Sequence, residues 1–467
     1  MKQYNLYING EWTDSQSKEY KDVINPTTEE VLAQIPLGNE ADVDKAVQAA
    51  KDAFPAWNTL SVEERVHYVQ KISEGIRERS EDLTNSIIAE LGSARTYTEY
   101  TQVIRSAEEI EASIKSLKDI EFTSQIGNAL VTKEGVGVVA AITPWNFPLN
   151  QIQRKITPAL LAGNTVVVKP ASDTPITAMI LAEIIDEIGF PKGVFNLITG
   201  SGSGMGDYLA GHPDVDLISF TGSTEVGRNL YDRAKTSIKK IVLELGGKSA
   251  LIYLEGGNLE EAIKASVNTI ANNSGQTCAA LTRLIIPKKE LERSKEIIKD
   301  YVQSLKVGDP SDLETVIGPL VSASQKETVL EYIQKGKDEG AQVLVGGEEI
   351  SGTGYFVEPT VFIEVTNDMS IAQEEIFGPV LSVITYEDVD EAIMLANDST
   401  YGLSGAVFGP EEEAVNVARK MRTGNVILNG ATVNNSAPFG GYKQSGLGRE
   451  KGQYGIEDYL EIKAIFR

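Results

Sequence analysis

The chain has 467 residues, 41% hydrophobic and 24% charged, which is the composition of a globular protein of about two or three domains. A net charge of −24 excludes a general nucleic-acid or anionic-membrane surface, because both repel an acidic protein. The one Cys excludes internal disulfides, and with only His67 and His212 beside it no usual zinc site can form, so no metal is expected.

The opening stretch MKQYNLYINGEWTDSQ lacks the basic-then-apolar layout of a signal peptide, and no apolar run is long enough to span a bilayer. The expected compartment is the cytoplasm. From 40 to 115 the spacing predicts helices. Val43, Ala46, Val47, Ala50 and Phe54 form one stripe, and Ser61 with Glu64 opens the next helix as a capping box. From about 136, short apolar runs alternate with helical stretches: VGVVAAI, NTVVVK, VFNLIT, DLISF and KIVLEL. Runs this apolar suit strands buried on both faces of a parallel sheet, with DTPITAMILAEIIDEIG as a crossover helix. A second α/β series follows to about 440, with ALIYL, RLIIP, AQVLVGG, VEPTVFIEV, VLSVITY, GAVFG and NVILNG as strands. The last stretch, IEDYLEIKAIFR, reads as a strand free to pair with the hairpin candidate IEFTSQIGNALVTKEG.

Several stretches carry chemistry. Asn146, in ITPWNFP, follows the first buried strand, where open α/β sheets place ligands. Its amide could donate to an oxyanion or cap the next helix. Lys169 ends the second strand and suits a ribose or phosphate, or is simply solvated. The glycine-rich FNLITGSGSGMGDYL misses the G-x-G-x-x-G spacing. Gly222 and Ser223 stand where a strand turns into a helix, so backbone N–H groups there could hold a pyrophosphate; Ser223 is equally an N-cap. Glu244 lies between Leu243 and Leu245 before Gly246 and Gly247. Burial there would raise its pKa toward that of a working base. EEIFGPV adds Glu375 beside Phe377, and NNSGQTCAALTR sets the lone Cys278 among small residues.

No single motif decides, but together PWNFP, FTGS, ELGGKS, GQTC, EEIFGPV, GLSGAVF and PFGGYKQSGLGRE resemble the aldehyde dehydrogenase superfamily in order and spacing, across essentially the whole chain. The resemblance implies an α/β fold with a Rossmann-variant cofactor domain (1–118 and 136–246), an α/β catalytic domain (247–442) and a small β oligomerisation ribbon (119–135 and 453–467). It implies Cys278 as nucleophile, Glu244 as general base, and Asn146 with the Cys278 backbone N–H as oxyanion hole. Lys169 and Glu375 would hold cofactor riboses, with Gly222 and Ser223 at the pyrophosphate. Trp145 would line the site near Asn146; Phe377 and Ser172 complete the cofactor-binding set. The implied reaction is NAD(P)-dependent oxidation of an aldehyde to its acid through a Cys278 thiohemiacetal and thioester, by a homodimer or homotetramer. A free thiol at neutral pH is only a few per cent thiolate, so the site must depress the Cys278 pKa or deprotonate it.

One position departs from the family pattern. Many NAD-preferring members carry Glu three residues after the strand-end Lys, where this chain has Ser172. Losing a carboxylate that would repel a 2′-phosphate leans the cofactor from NAD toward accepting NADP. Two other chemistries compete. A CoA-acylating relative needs no water-activating base, which Glu244 argues against. A non-redox Cys hydrolase needs a His base, and only His67 and His212 are available. Gln151, Arg154, Asn272, Leu281 and the loop 429–440 are the substrate-tunnel candidates, and Arg154 is the one candidate partner for a substrate carboxylate.

Overall fold

The computed structural model describes residues 2–467. Its larger sheet has eight strands in the spatial order Gly446–Leu447, Lys240–Glu244, Leu217–Thr221, Val138–Ile142, Thr165–Lys169, Phe195–Leu197, Leu6–Ile8 and Glu11–Thr13. The central five are parallel and correspond to the five apolar runs read from the sequence. The three innermost of them, 217–221, 138–142 and 165–169, are buried at every residue, as strands covered on both faces must be. Register pairs Ile142 with Lys169 and Thr221 with Glu244, so the carboxyl ends of four strands stand in one row.

Helices Glu40–Asn58, Val62–Glu78, Pro148–Ala162 and Ile176–Ile188 flank this sheet. Asn39 and Ser61 cap the first two through reciprocal bonds with Asp42 and Glu64. Gly163, at φ 95°, ends the third in the left-handed conformation that glycine adopts without steric cost. Between Tyr97 and Arg105 the chain is π-helical over Thr98–Ile104, a local form that concentrates at functional sites.

The second sheet has seven strands, in the order Gln342–Val345, Thr360–Ile363, Val380–Tyr386, Arg283–Pro287, Ala250–Tyr253, Ser404–Phe408 and Asn425–Leu428. All pairs are parallel except the first. Leu460–Phe466 pairs antiparallel with Ala129–Gly135, which pairs with Thr123–Ile126. Short strands before residue 37 have no counterpart in the sequence reading. Two extend the larger sheet, and Lys2–Gln3, Val31–Pro36 and Tyr20–Ile24 form a separate one. The two that extend the larger sheet have three residues each, too short to show an alternation. Among the described residues no helix is long and apolar enough to cross a membrane.

Candidate active site

Cys278 follows helix Leu259–Ala271 through an unusual elbow. Asn273 and Ser274 hold φ of 53° and 55°, and Gly275 follows at 73°. Left-handed backbone costs about 1–3 kcal/mol per non-glycine residue, so the surroundings must enforce it. They do so with hydrogen bonds. Asn273 Nδ2 donates to the Asn146 carbonyl (2.9 Å), Ser274 Oγ to the Gly318 carbonyl (2.8 Å), and the Val321 N–H to Gln276 Oε1 (2.9 Å). A Cβ on Gly275 would lie 2.1 Å from the Gly378 carbonyl oxygen, so only glycine fits.

Asn146 is buried at 2% exposure and is not a helix cap, because Phe147 holds the N-cap position of the next helix. Its Nδ2 donates to the Gln276 carbonyl at 3.0 Å, two residues before Cys278, which leaves a second N–H on the same amide. The Cys278 backbone N–H donates to no protein group among the described residues. Each group therefore keeps one uncommitted N–H.

Glu244 ends its strand at 3% exposure, and both carboxyl oxygens lack a hydrogen-bond partner. Burial pushes its pKa well up; the Glu450 carboxylate adds to this, against Lys155 and the neighbouring arginines. Gly247 brings this strand end against the Cys278 elbow: a Cβ there would sit 2.5 Å from the Cys278 carbonyl oxygen. The Gly247 N–H donates to Glu375 Oε1 at 3.1 Å, which ties in the EEIFGPV stretch. Burial raises the Glu375 carboxyl to about 7, against that N–H and Lys248. The Cys278 thiol is pushed up to about 12 by burial, then by Glu375 and Glu244, with Arg154 opposing. The protein does not depress this pKa, so the thiol needs a base.

On the other side of Asn146, Trp145 packs edge-on against Phe377, ring centroids 5.3 Å apart. Lys169 is buried at 3% exposure, and its Nζ has only the Pro170 carbonyl at 3.2 Å. Burial, then Lys21, pushes it down to about 8. Ser172 Oγ donates to the Gly200 carbonyl (2.9 Å). Ser223 caps helix Thr224–Ala234 by accepting from the Val226 N–H, while the Gly222 N–H is spent on the Glu244 carbonyl. A dinucleotide fits this row of strand ends: a buried lysine lacking a carboxylate, a free Glu375 oxygen, an open helix N-terminus and the orphaned Thr224 hydroxyl. The GSGMG turn is π-helical over Gly202–Gly206 and leads into helix Asp207–Gly211.

Cys278 opens onto a cavity of about 520 Å³, walled by Phe147, Gln151, Arg154 and much of 425–439. Of the tunnel candidates, Gln151, Arg154 and part of the loop line it. Leu281 instead packs into the core of the second sheet, and Asn272 caps the helix before the elbow. Glu244 is outside the lining. Sequence reasoning missed the buried Lys155–Glu450 pair (2.8 Å) and the cations around Glu109. The stretch GLGRE belongs to a recognisable motif, but nothing local in it shows that Glu450 folds back beside Glu244. His67 is exposed on its helix, and His212 accepts from the Asp214 N–H; neither lines the cavity.

The Aldehyde dehydrogenase family model matches residues 12–465, and the chain belongs to that family. A Staphylococcus haemolyticus relative carrying the aldehyde dehydrogenase name is 48% identical over 463 residues, 98% of each chain. A mutant aldehyde dehydrogenase C from Pseudomonas syringae, solved with NAD+ and octanal, superposes at TM-score 0.97 with 42% identity, covering 99% of this chain and 96% of that one. The NAD+ complex of a Bacillus cereus aldehyde dehydrogenase gives TM-score 0.97 at 38% identity, covering 100% and 96%.

Proposed function

We propose that this chain is a cytoplasmic enzyme that oxidises an aldehyde to its carboxylic acid with NAD+ or NADP+, Cys278 acting as nucleophile and Glu244 as base. The observation that carries the reading is the convergence of Cys278, the spare amide hydrogen of Asn146 and an unpartnered, buried Glu244 beside a row of strand ends. Residues 1–118 and 136–246 would serve the cofactor, 247–442 the chemistry, and 119–135 with 453–467 subunit assembly. The octanal in the Pseudomonas syringae relative supports an aldehyde substrate.

The bound nicotinamide supplies the hydride acceptor. Lys169 and Glu375 would hold its riboses, Ser223 and the start of the helix it caps the pyrophosphate, with Gly222 only shaping the turn because its N–H is spent, and Trp145 with Phe377 the wall on that side. Glu244, as carboxylate, takes the proton that the raised Cys278 thiol cannot lose unaided. The thiolate adds to the aldehyde carbon. Asn146 Nδ2 and the Cys278 N–H then donate to the oxyanion, in a dry site where such donors count most. Loss of hydride leaves a thioester on Cys278. Glu244 deprotonates a water that attacks it, and the acid leaves as the thiol reforms. Glu244 favours water over CoA as the acyl acceptor, and the remoteness of both His disfavours a His-assisted hydrolase.

A panel of aldehydes with NAD+ and with NADP+, followed by the absorbance of reduced nicotinamide, tests this for wild type and Cys278→Ala. Turnover by wild type alone supports it. Equal turnover by Cys278→Ala removes Cys278 from the mechanism. Silence from both proteins with every aldehyde overturns the assignment.

A further inference from the structure

Three cations converge on one carboxylate in the wall of the Cys278 cavity. Arg154 grips Glu109 through both carboxyl oxygens (2.9 Å each), Lys451 Nζ lies 2.6 Å from Oε1, and Arg105 Nε 3.4 Å from it. Asn150 and Gln153 also donate to Oε2, so Glu109 has no acceptor capacity left. Burial pushes the Glu109 carboxyl up, but Arg154 and Lys451 hold it well below the usual carboxylate range. Counted as charges, this wall carries three positive and one negative, all within side chains that border the cavity or touch one that does.

Arg105 is the unspent member. Its only ion-pair partner among the described residues is the saturated Glu109, at the longest of these distances, and its guanidinium makes no hydrogen bond. It follows the π-helical segment 98–104; Thr101 from that segment and Tyr97 just before it line the same cavity, and the Tyr97 hydroxyl likewise has no protein partner. Phe439 shields Arg154 and Lys451 from the other side, at 5.3 and 5.8 Å from its ring centre. Holding cations in a largely apolar pocket costs desolvation free energy that a purely hydrocarbon aldehyde would never recover. An acidic chain of net charge −24 also repels anions, so an anionic substrate needs a local positive field of this kind.

We infer that the preferred aldehyde carries a carboxylate at its far end, received by Arg105 with Tyr97 beside it. This rests on the dehydrogenase reading above. The planar guanidinium fork matches a carboxylate with two parallel bonds, and Arg154 and Lys451 supply the field without releasing Glu109. The Arg154 guanidinium is committed to Glu109, which leaves Arg105 as the cation with donors to spare for a substrate.

The test compares kcat/KM for succinic semialdehyde with butanal, and adipic semialdehyde with hexanal, in wild type, Arg105→Gln and Arg105→Lys. Wild type favours the carboxylated member of at least one pair by about tenfold or more. Arg105→Gln cuts that ratio about tenfold through KM, and Arg105→Lys restores part of it. A wild type that turns over the neutral aldehydes as well as the semialdehydes overturns the carboxylate site and leaves the dehydrogenase intact. So does an Arg105→Gln protein whose ratio is unchanged. Failure to reduce either nicotinamide with any of the four overturns both. Thermal melting of each variant separates a misfolded protein from an altered ratio.

Discussion

Lys155 and Glu450 lie 2.8 Å apart at 0% and 1% side-chain exposure, and the Lys155 ammonium also donates to the Thr221 hydroxyl at 2.6 Å. Both act on Glu244, Glu450 raising its pKa after burial has done so, and Lys155 lowering it. The carboxylate that activates water accumulates only as pH rises through this elevated value, so turnover should climb with pH on the alkaline side of an ordinary glutamate. Glu450→Gln removes the like charge and should move that limb to lower pH. Lys155→Met leaves Glu450 buried and unpaired, and should cost about 3–5 kcal/mol of stability. Rate–pH profiles and thermal melts check both, and superimposable profiles for wild type and Glu450→Gln would remove Glu450 from the control of Glu244.

Glu244→Gln should separate the two halves of the reaction. The variant should release the first equivalent of reduced nicotinamide per site slowly, because the Cys278 thiol has lost its base, and then stall as the thioester, because water has lost it as well. Rapid mixing reads that first equivalent, and intact mass shows the added acyl group on Cys278. Sustained turnover by the variant would assign water activation elsewhere. Restored turnover on adding CoA to it would show that a thiol can replace water once the base is gone.

The legible parts of this protein were those with local signatures. Strands such as 138–142 and 165–169 declare themselves because both faces are buried, which leaves an unbroken apolar run. The capping box at Ser61 and Glu64 is local as well. Cys278, Asn146 and Glu244 were legible only as a constellation of motifs, since each alone has a bland reading. The Glu109 cluster was not legible at all. Its members come from helix 105–116, helix 148–162 and the loop at 451, and their meeting depends on packing across the whole chain. Leu281 misled because proximity in sequence to Cys278 says nothing about which way a side chain points as a strand begins.

The terminal ribbon should hold subunits together. Ile126, Ile462 and Phe466 are 67%, 70% and 73% exposed on the two outer strands of a three-stranded sheet. Apolar side chains on an unpaired edge are a liability unless a second copy covers them. Light scattering after size exclusion should give a dimer or tetramer, and Ile462→Lys with Phe466→Lys should shift it toward smaller species. A monomeric wild type at micromolar concentration would reject the ribbon as an assembly element.

Cofactor choice turns on Ser172. A carboxylate at that place would repel a 2′-phosphate by on the order of 1–4 kcal/mol, and here a hydroxyl stands instead, donating to the Gly200 carbonyl. Lys169, pushed down to about 8 by burial and then by Lys21, gains from an anion beside it, which would offset the desolvation of its buried charge. Wild type should therefore use NADP+ with kcat/KM no less than about a tenth of that for NAD+. Ser172→Glu should lower the NADP+ value about tenfold or more while sparing NAD+. Steady-state kinetics with both cofactors and one aldehyde measures this. A wild type that favours NAD+ beyond tenfold, or a Ser172→Glu variant with an unchanged cofactor ratio, would locate the discrimination at another residue.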